Sequence, residues 1–220
     1  MKTLDIEQVK KFLQVASTNK FYKRYYAAYL LELYTGLRRG ELLGIRWKDI
    51  NFNKGEIKVV QQLVKVGSKH VIRELKTDSL QNRVISIPIE VIESLKEHKV
   101  IKKEQYKELG FDDITTKKEL LDGLVFTNEL GNISQPRNFV ANFKAALKAS
   151  GINPIRFHDM RHTFSLLSLQ AGADIKTLQS DLGHESIEPT LDRYGHVNET
   201  MKRDASDKRS ELLNCRLPID

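Results

Sequence analysis

One β-rich interval interrupts a chain whose pattern is otherwise helical. The segment EIKVVQQLVKV, residues 56–66, is rich in β-branched residues, and shorter segments of the same kind follow at 70–75 and 83–88. The connections GSK and KTDSLQN are short and polar, as in turns between antiparallel neighbours. The interval therefore predicts a three-stranded antiparallel sheet. Pro88 is expected to end it, because proline lacks the N–H that a sheet ladder needs.

Helical periodicity dominates the rest of the chain. Thr3 or Asp5 can cap a first helix that runs to about Ala16, and Gly36 is expected to end the second helix. Further helices are expected at about 21–34, 40–45, 90–109, 136–149, 158–171, 174–182, 187–194 and 199–213, with a short strand at 124–126. The predicted fold class is therefore mostly α with a small three-stranded antiparallel sheet near the N-terminal part, an α+β arrangement.

Composition limits the class of protein and its partners. The chain of 220 residues can bury one core as a single domain. Its net charge of +7 and pI of ≈ 9.3 favour a polyanionic partner, either nucleic acid or an anionic membrane surface. The one cysteine, Cys215, cannot form an internal disulfide, which suits a reducing compartment. Neither a signal peptide nor a run of about 18 apolar residues is recognisable, so we expect a soluble, cytoplasmic protein.

The segment HDMRH, residues 158–162, admits three interpretations. Its histidines stand four residues apart, as in a zinc-protease helix, but the glutamate that this motif needs after the first histidine is Asp159 here. Both histidines could instead pack on the helix face. The third interpretation is an anion site, because His158 and Arg161 share a helix face and a guanidinium matches phosphate with two hydrogen bonds. By itself the segment leaves all three open.

Two further segments carry residues suited to phosphate chemistry. In TGLRRGELLGIRW, residues 35–47, Arg38 precedes Glu41 by three positions, a spacing that also fits a surface ion pair of under about 1 kcal/mol. In LGHESIEPTLDRYGHV, residues 182–197, His184 precedes Tyr194 by ten positions. A tyrosine in such a place is more commonly a half-buried structural residue. Neither segment is decisive alone.

Taken together, these segments resemble the catalytic domain of the tyrosine recombinases, the phage-type integrases. The matching residues are Arg38 in TGLRRGE, Lys76 in ELKTDSLQNRVISIP, His158 and Arg161 in HDMRHTF, His184 in LGH, and Tyr194 in TLDRYGHV. They occur in the family's order, and the spacing from His158 to Tyr194 is also the family's. The resemblance implies that catalytic-domain fold for residues 1–220, with a core at about 3–197 and a C-terminal tail helix at about 199–213.

The resemblance implies DNA strand cleavage and rejoining without a metal or other cofactor. Tyr194 would attack a DNA phosphodiester, giving a 3′-phosphotyrosyl intermediate and a free 5′-hydroxyl, before strand exchange. Arg38 and Arg161 would form the phosphate clamp, the name used below for this pair. Fixed cations of this kind stabilise charge on the equatorial oxygens when no metal does so. Glu41 would orient Arg38.

The other matched residues receive proton-transfer and hydrogen-bonding roles from the same resemblance. His158 is the candidate base for Tyr194, which at its ordinary pKa of about 10 is a weak nucleophile. His184 would donate a hydrogen bond to a non-bridging phosphate oxygen. Lys76 would be the general acid for the leaving 5′-oxygen. His162 is expected to be structural, bonded within the helix packing.

Expectations about partners follow from the resemblance as well. The expected partner is double-stranded DNA, and no membrane is expected to be involved. The protein would be a monomer when free and would form a tetrameric synapse on DNA. It would be encoded by a bacterium or a phage and would be associated with the nucleoid. The biological role would be integration and excision of a mobile element. The N-terminal DNA-clamping and arm-binding domains of full-length members have no counterpart in this chain. Two alternatives are a type IB topoisomerase-like enzyme that relaxes DNA and a catalytically inactive DNA-binding regulator; the wording of TGLRRGE and LGHESI favours the recombinase.

Overall fold

The computed structural model describes residues 2–75 and 83–183. Within these ranges the chain is mostly helical with small antiparallel sheets, so the predicted fold class is confirmed. The helices are α1 (Ile6–Thr18), α2 (Tyr26–Thr35), α3 (Arg39–Gly44), α4 (Ile89–Glu108), α5 (Asp113–Asp122), α6 (Pro136–Ala149), α7 (His158–Gln170) and α8 (Ile175–Leu182). The helices predicted at 187–194 and 199–213 lie outside the described residues. No described helix is long and apolar enough to cross a membrane.

The β-rich interval forms two sheets. In the first, β2 (Glu56–Val59) lies between β1 (Ile50–Asn51) and β5 (Arg83–Ser86), and both pairings are antiparallel. In the second, β3 (Gln61–Val66) pairs with β4 (Lys69–Glu74) around a tight turn. Strands therefore lie where the sequence predicts them, but their pairing differs from the single sheet expected over residues 56–88.

Packing against α3 explains why the first predicted strand divides into β2 and β3. Strand β3 lies so close to α3 that a Cβ added at Gly40 would be 2.6 Å from the carbonyl oxygen of Leu63. The side-chain amide of Gln61 donates to the carbonyl oxygen of Gly44 at 2.6 Å. β3 thus follows the helix while β2 stays in the first sheet. Local periodicity carries no sign of this contact, because it depends on glycines about twenty residues away.

One helical prediction and one strand prediction need correction, and one helix is absent from the predictions. The helix expected at 21–34 is divided, since a 3₁₀ turn at Lys23–Tyr25 precedes α2. Helix α5 was not predicted; its sequence DITTKKELLD has little apolar periodicity, although Asp112 caps it by accepting from the N–H of Thr115. The strand expected at 124–126 contributes only an isolated bridge between Arg46 and Leu124.

An aromatic cluster joins the helices that carry the site. Phe12 of α1 lies 5.2 Å from Tyr29 of α2, measured between ring centroids, and Tyr29 lies 5.8 Å from Phe143 of α6. Phe157, directly before α7, lies 5.2 Å from Phe143 in an edge-on arrangement. Edge-on and tilted pairs of this kind are favourable beyond the burial of their area. The cluster therefore holds α2 and the start of α7 in place relative to each other.

Candidate phosphate-binding site

Arg38 and Glu41 are joined at the start of α3. Arg38 precedes the helix in an extended conformation, and its backbone N–H donates to Glu41 Oε2 at 2.8 Å. Its guanidinium also donates through Nη1 to Glu41 Oε1 at 2.9 Å. The Arg38 side chain is 36% exposed, whereas that of Glu41 is fully buried. The contact expected between these residues is present, and it leaves one side of the guanidinium open to solvent.

Arg83 of β5 is a third member of this group. Its Nη2 donates to Glu41 Oε2 at 3.1 Å, and its Nε donates to the carbonyl oxygen of Asp181 at 2.6 Å. Burial alone would raise the pKa of Glu41, but the charge and hydrogen bonds of Arg83, with those of Arg38, hold it below its ordinary value. Glu41 is therefore a buried carboxylate shared by two arginines. Sequence reasoning gave Arg83 no role of its own.

Arg161 is the more deeply buried member of the phosphate clamp. Its side chain projects from the first turn of α7, and the residue is 3% exposed. Nη1 donates to the carbonyl oxygen of Gly36 and Nη2 to that of Leu182, both at 2.6 Å. Burial, together with the charge of Arg38, lowers the pKa of Arg161 to about 10, so the guanidinium is charged at neutral pH.

The C-terminal end of α8 contacts all three arginines, which we call the arginine cluster: Arg38, Arg83 and Arg161. Three consecutive carbonyl oxygens accept from three different guanidinium groups: Asp181 from Arg83, Leu182 from Arg161 and Gly183 from Arg38. Carbonyl groups at a helix C-terminus have no partner within the helix and carry partial negative charge. Gly183 ends α8 with φ of 60°, a left-handed conformation that favours glycine. The helix end therefore sets the relative positions of the cluster.

His158 and His162 lie on α7 but in different environments. His158 is the first residue of the helix and is exposed, and it lines a cavity of about 420 Å³ together with Arg38. His162 is 6% exposed, and its ring centroid lies 5.0 Å from that of His158. Asp159 accepts from the backbone N–H of Arg156 at 3.0 Å and thereby closes the first turn. The burial of His162 is in keeping with the structural role expected of it, which stays a prediction.

Three predicted site residues, Lys76, His184 and Tyr194, lie outside the described residues. Two of them follow described neighbours directly. Lys76 follows Leu75, whose N–H donates to the carbonyl oxygen of Val60 at 2.8 Å. His184 follows Gly183, which accepts from Arg38 at 3.3 Å. The structure therefore brings together Arg38, Glu41, His158 and Arg161, and the places of the other three stay predictions.

The described side chains form a candidate anion site, which hydrogen bonds within the protein hold in place. The guanidinium groups of Arg38 and Arg83 share the carboxylate of Glu41. That of Arg161 donates to carbonyl oxygens instead, which leaves a surplus of positive charge. Carbonyl groups and Glu41 hold the guanidinium groups, so little reorganisation is needed when charge develops nearby. Among residues 2–75 and 83–183 there is no group of three or more His, Cys, Asp or Glu that could hold a metal ion.

Comparison with known proteins identifies the class to which this fold and site belong. The model of the phage integrase family matches residues 2–201, and the chain belongs to that family. The chain is 31% identical to the XerC-like tyrosine recombinase of Caldanaerobacter subterraneus, over 97% of this chain and 55% of that protein. It is also 31% identical to the ICEBs1 integrase of Bacillus subtilis, over 94% of this chain and 54% of that protein. The chain thus spans about half the length of these relatives.

The solved structures give the same result for the fold. The Tn1549 transposon integrase, in complex with transposon right-end DNA, superposes with a TM-score of 0.76 at 27% sequence identity. The match covers 94% of this chain and 65% of that one. These relatives are recombinases and integrases, so neither the topoisomerase-like enzyme nor the inactive regulator is favoured.

Proposed function

We propose that this chain is the catalytic domain of a site-specific DNA recombinase that integrates and excises a mobile element. The observation that carries the proposal is the phosphate clamp. Glu41 and helix-end carbonyl groups hold Arg38 and Arg161, and Arg38 lines a cavity together with His158. Two guanidinium groups held in fixed positions are suited to bind the equatorial oxygens of a phosphodiester, on which negative charge develops during the reaction. Membership of the phage integrase family supports the same reaction.

In the proposed reaction, Tyr194 attacks the phosphorus of a DNA phosphodiester. The tyrosyl O–P bond forms as the bond from phosphorus to the 5′-oxygen breaks, which leaves a 3′-phosphotyrosyl link. His158 accepts the phenolic proton, and Lys76 gives a proton to the departing 5′-oxygen. His184 donates to a non-bridging oxygen while the clamp neutralises the others. The ester keeps the bond energy, so a later attack by a 5′-hydroxyl restores the phosphodiester without a metal or an energy-rich cofactor.

The proposed partner is double-stranded DNA. The Tn1549 integrase was solved bound to its transposon end, and the positive charge of this chain suits the same kind of polyanion. Strand exchange needs two cleaved duplexes, so we further propose that four copies assemble on DNA from free monomers. Such a protein would work in the cytoplasm, at the nucleoid.

A covalent-trapping experiment tests this proposal. Nicked duplexes that carry the ends of the encoding element let a short strand diffuse away after cleavage, so the protein stays attached. The wild-type protein should give an adduct that survives SDS, Tyr194→Phe should give none, and the exposed Tyr34→Phe should match wild type. Arg161→Lys should slow adduct formation by about 10²-fold or more, because lysine cannot form the two-point contact. An adduct in Tyr194→Phe, or none in wild type, contradicts the assignment.

A further inference from the structure

One buried acidic residue beside the arginine cluster has no role in the reaction described above. Glu32 lies in α2, four residues before Gly36, and its side chain is fully buried. Neither of its carboxyl oxygens has a hydrogen-bond partner among residues 2–75 and 83–183. A buried polar group without a partner costs about 1–3 kcal/mol, and such groups are few in native proteins. Its presence as the one charged residue of α2 therefore suggests a compensating role.

Glu32 faces charged groups from several elements. Arg161 of α7, Glu41 of α3 and Arg83 of β5 all act on it electrostatically. It also lines the cavity of about 420 Å³, whose charged or titratable lining residues are Glu32, Arg38, Arg39, Lys144, Arg156 and His158. Glu32 is the one acidic residue that lines this cavity in the described part of the chain, and it lies on the same helix whose end accepts from Arg161.

The environment of Glu32 favours its neutral form. Burial raises the pKa of the Glu32 carboxyl well above its ordinary value; Arg161 and Arg83 oppose that effect, and Glu41 adds to it. With Glu32 neutral, Glu41 is the one carboxylate hydrogen-bonded to the arginine cluster among the described residues, and the three guanidinium groups exceed it by two positive charges. If Glu32 ionised, the surplus would fall to one. Ionisation of Glu32 would thus halve the surplus of positive charge that the arginine cluster offers to a ligand.

We propose that Glu32 is a positioning residue of the phosphate clamp, which leaves Arg161 available to an anion while it holds a proton and competes for Arg161 when it releases that proton. The inference rests on the proposed function, in which the clamp binds a phosphodiester. An anion in the clamp disfavours a second negative charge nearby, so binding and protonation of Glu32 reinforce each other. By linkage, the affinity for the anion falls as pH rises past the point at which Glu32 ionises in the empty protein.

Sulfate is a suitable probe, because it resembles a phosphate and keeps its charge across the neutral range. Carboxyl ¹³C NMR of the wild-type protein labelled at glutamate should show Glu32, assigned by its absence in Glu32→Gln, titrating above the ordinary range. Saturating sulfate should move that titration to higher pH. Titration of Glu32 in the ordinary range, or no movement with sulfate, overturns the inference. This measurement uses the wild-type fold, so it does not depend on the stability of a variant.

Affinity for sulfate, read from the NMR resonances of the Arg38 and Arg161 guanidinium groups, gives the second test. In the wild-type protein it should fall about tenfold per pH unit between the two titration points of Glu32. Glu32→Gln keeps the neutral shape, so its affinity should exceed that of wild type above this interval. Contributions from the histidines are common to both proteins and cancel in the ratio. The exposed Glu7→Gln should follow wild type.

The outcomes separate this inference from the proposed function. The sulfate affinity of Glu32→Gln divided by that of wild type should change with pH. If this ratio is the same at every pH while the Tyr194-dependent adduct forms, the role of Glu32 is refuted and the recombinase assignment stands. If sulfate perturbs neither Arg38 nor Arg161 at any pH, the clamp itself is refuted, and the role of Glu32 with it. A pH-dependent ratio without any adduct supports Glu32 and counts against the reaction assigned to Tyr194.

Discussion

Replacing Glu41 should be among the most damaging single changes to the site, and the structure gives the size of the effect. Its two oxygens accept four hydrogen bonds: from Arg38 N at 2.8 Å, Arg38 Nη1 at 2.9 Å, Arg83 Nη2 at 3.1 Å and Arg83 Nη1 at 3.4 Å. The Arg38 side chain is 36% exposed, so solvent screens that pair and it contributes little. Arg83 is 6% exposed at its side chain, and without Glu41 it would be a buried charge lacking its carboxylate.

Breaking a buried ion pair from one side costs about 3–5 kcal/mol, and we expect Glu41→Ala to lose that much free energy of unfolding. In a chain of this length the loss corresponds to a melting temperature roughly 6–20 °C lower. Urea denaturation followed by circular dichroism measures it, and Glu7→Ala on the exposed pair with Lys10 should lose under about 1 kcal/mol. Adding Arg83→Met to Glu41→Ala should recover part of the loss, because the buried guanidinium that lost this carboxylate is then removed.

The pH dependence gives an independent check on the same residue. The pKa of Glu41 is lowered in the folded protein, so its stabilising contribution is present above the ordinary carboxyl pKa and is lost as pH falls through the lowered value. The difference in free energy of unfolding between wild type and Glu41→Gln should therefore become smaller as the pH falls. The reasoning is refuted if Glu41→Ala loses less than about 1 kcal/mol at neutral pH, or if that difference grows on acidification.

Three further outcomes are expected. Gly40→Ala should lower the free energy of unfolding by about 1–3 kcal/mol. The added Cβ would be 2.6 Å from a backbone oxygen of β3, which has little room to move. A midpoint of urea denaturation that is unchanged by Gly40→Ala argues against that contact. EDTA should leave covalent adduct formation by Tyr194 unchanged, and activity lost to the chelator and restored by a divalent metal contradicts the metal-free reaction. Gel shifts should show weak duplex binding by this chain, with a slope of about −0.9 in log affinity against log salt for each phosphate neutralised; tight binding insensitive to salt contradicts the proposed electrostatic contacts.

Local sequence signals predicted the parts of the site that depend on short spacings. The three-residue separation of Arg38 and Glu41 brings them together at the first turn of α3, and Gly36 ends α2 with φ of 57° as expected. The exposure of Arg38 and the burial of Glu41 did not follow from the spacing, because they depend on what packs over the turn.

The contribution of Arg83 could not be predicted, because its partners are remote and one is a backbone atom. Glu41 lies 42 positions away in sequence and the Asp181 carbonyl group 98 positions away. One signal was nevertheless present: Arg83 occupies the buried face of β5 together with Ile85, where a charged residue is unusual. Glu32, a lone acidic residue in YAAYLLELYT, gives the same signal in a helix. A charged residue on an apolar face of a strand or helix is thus a sequence signal for a buried electrostatic site.

The end of α8 has a consequence for how this family can diverge. Its acceptors are backbone carbonyl groups, which survive any amino-acid replacement that leaves the helix end in place. Side chains along α8 can therefore change while the arrangement of the arginine cluster persists. A change that shifts the helix end acts on Arg38, Arg83 and Arg161 at once. The effects on stability of substitutions near Gly183 should consequently be strongly non-additive with substitutions of those arginines. The effects of substitutions on the outer face of α8 should instead be nearly additive with them.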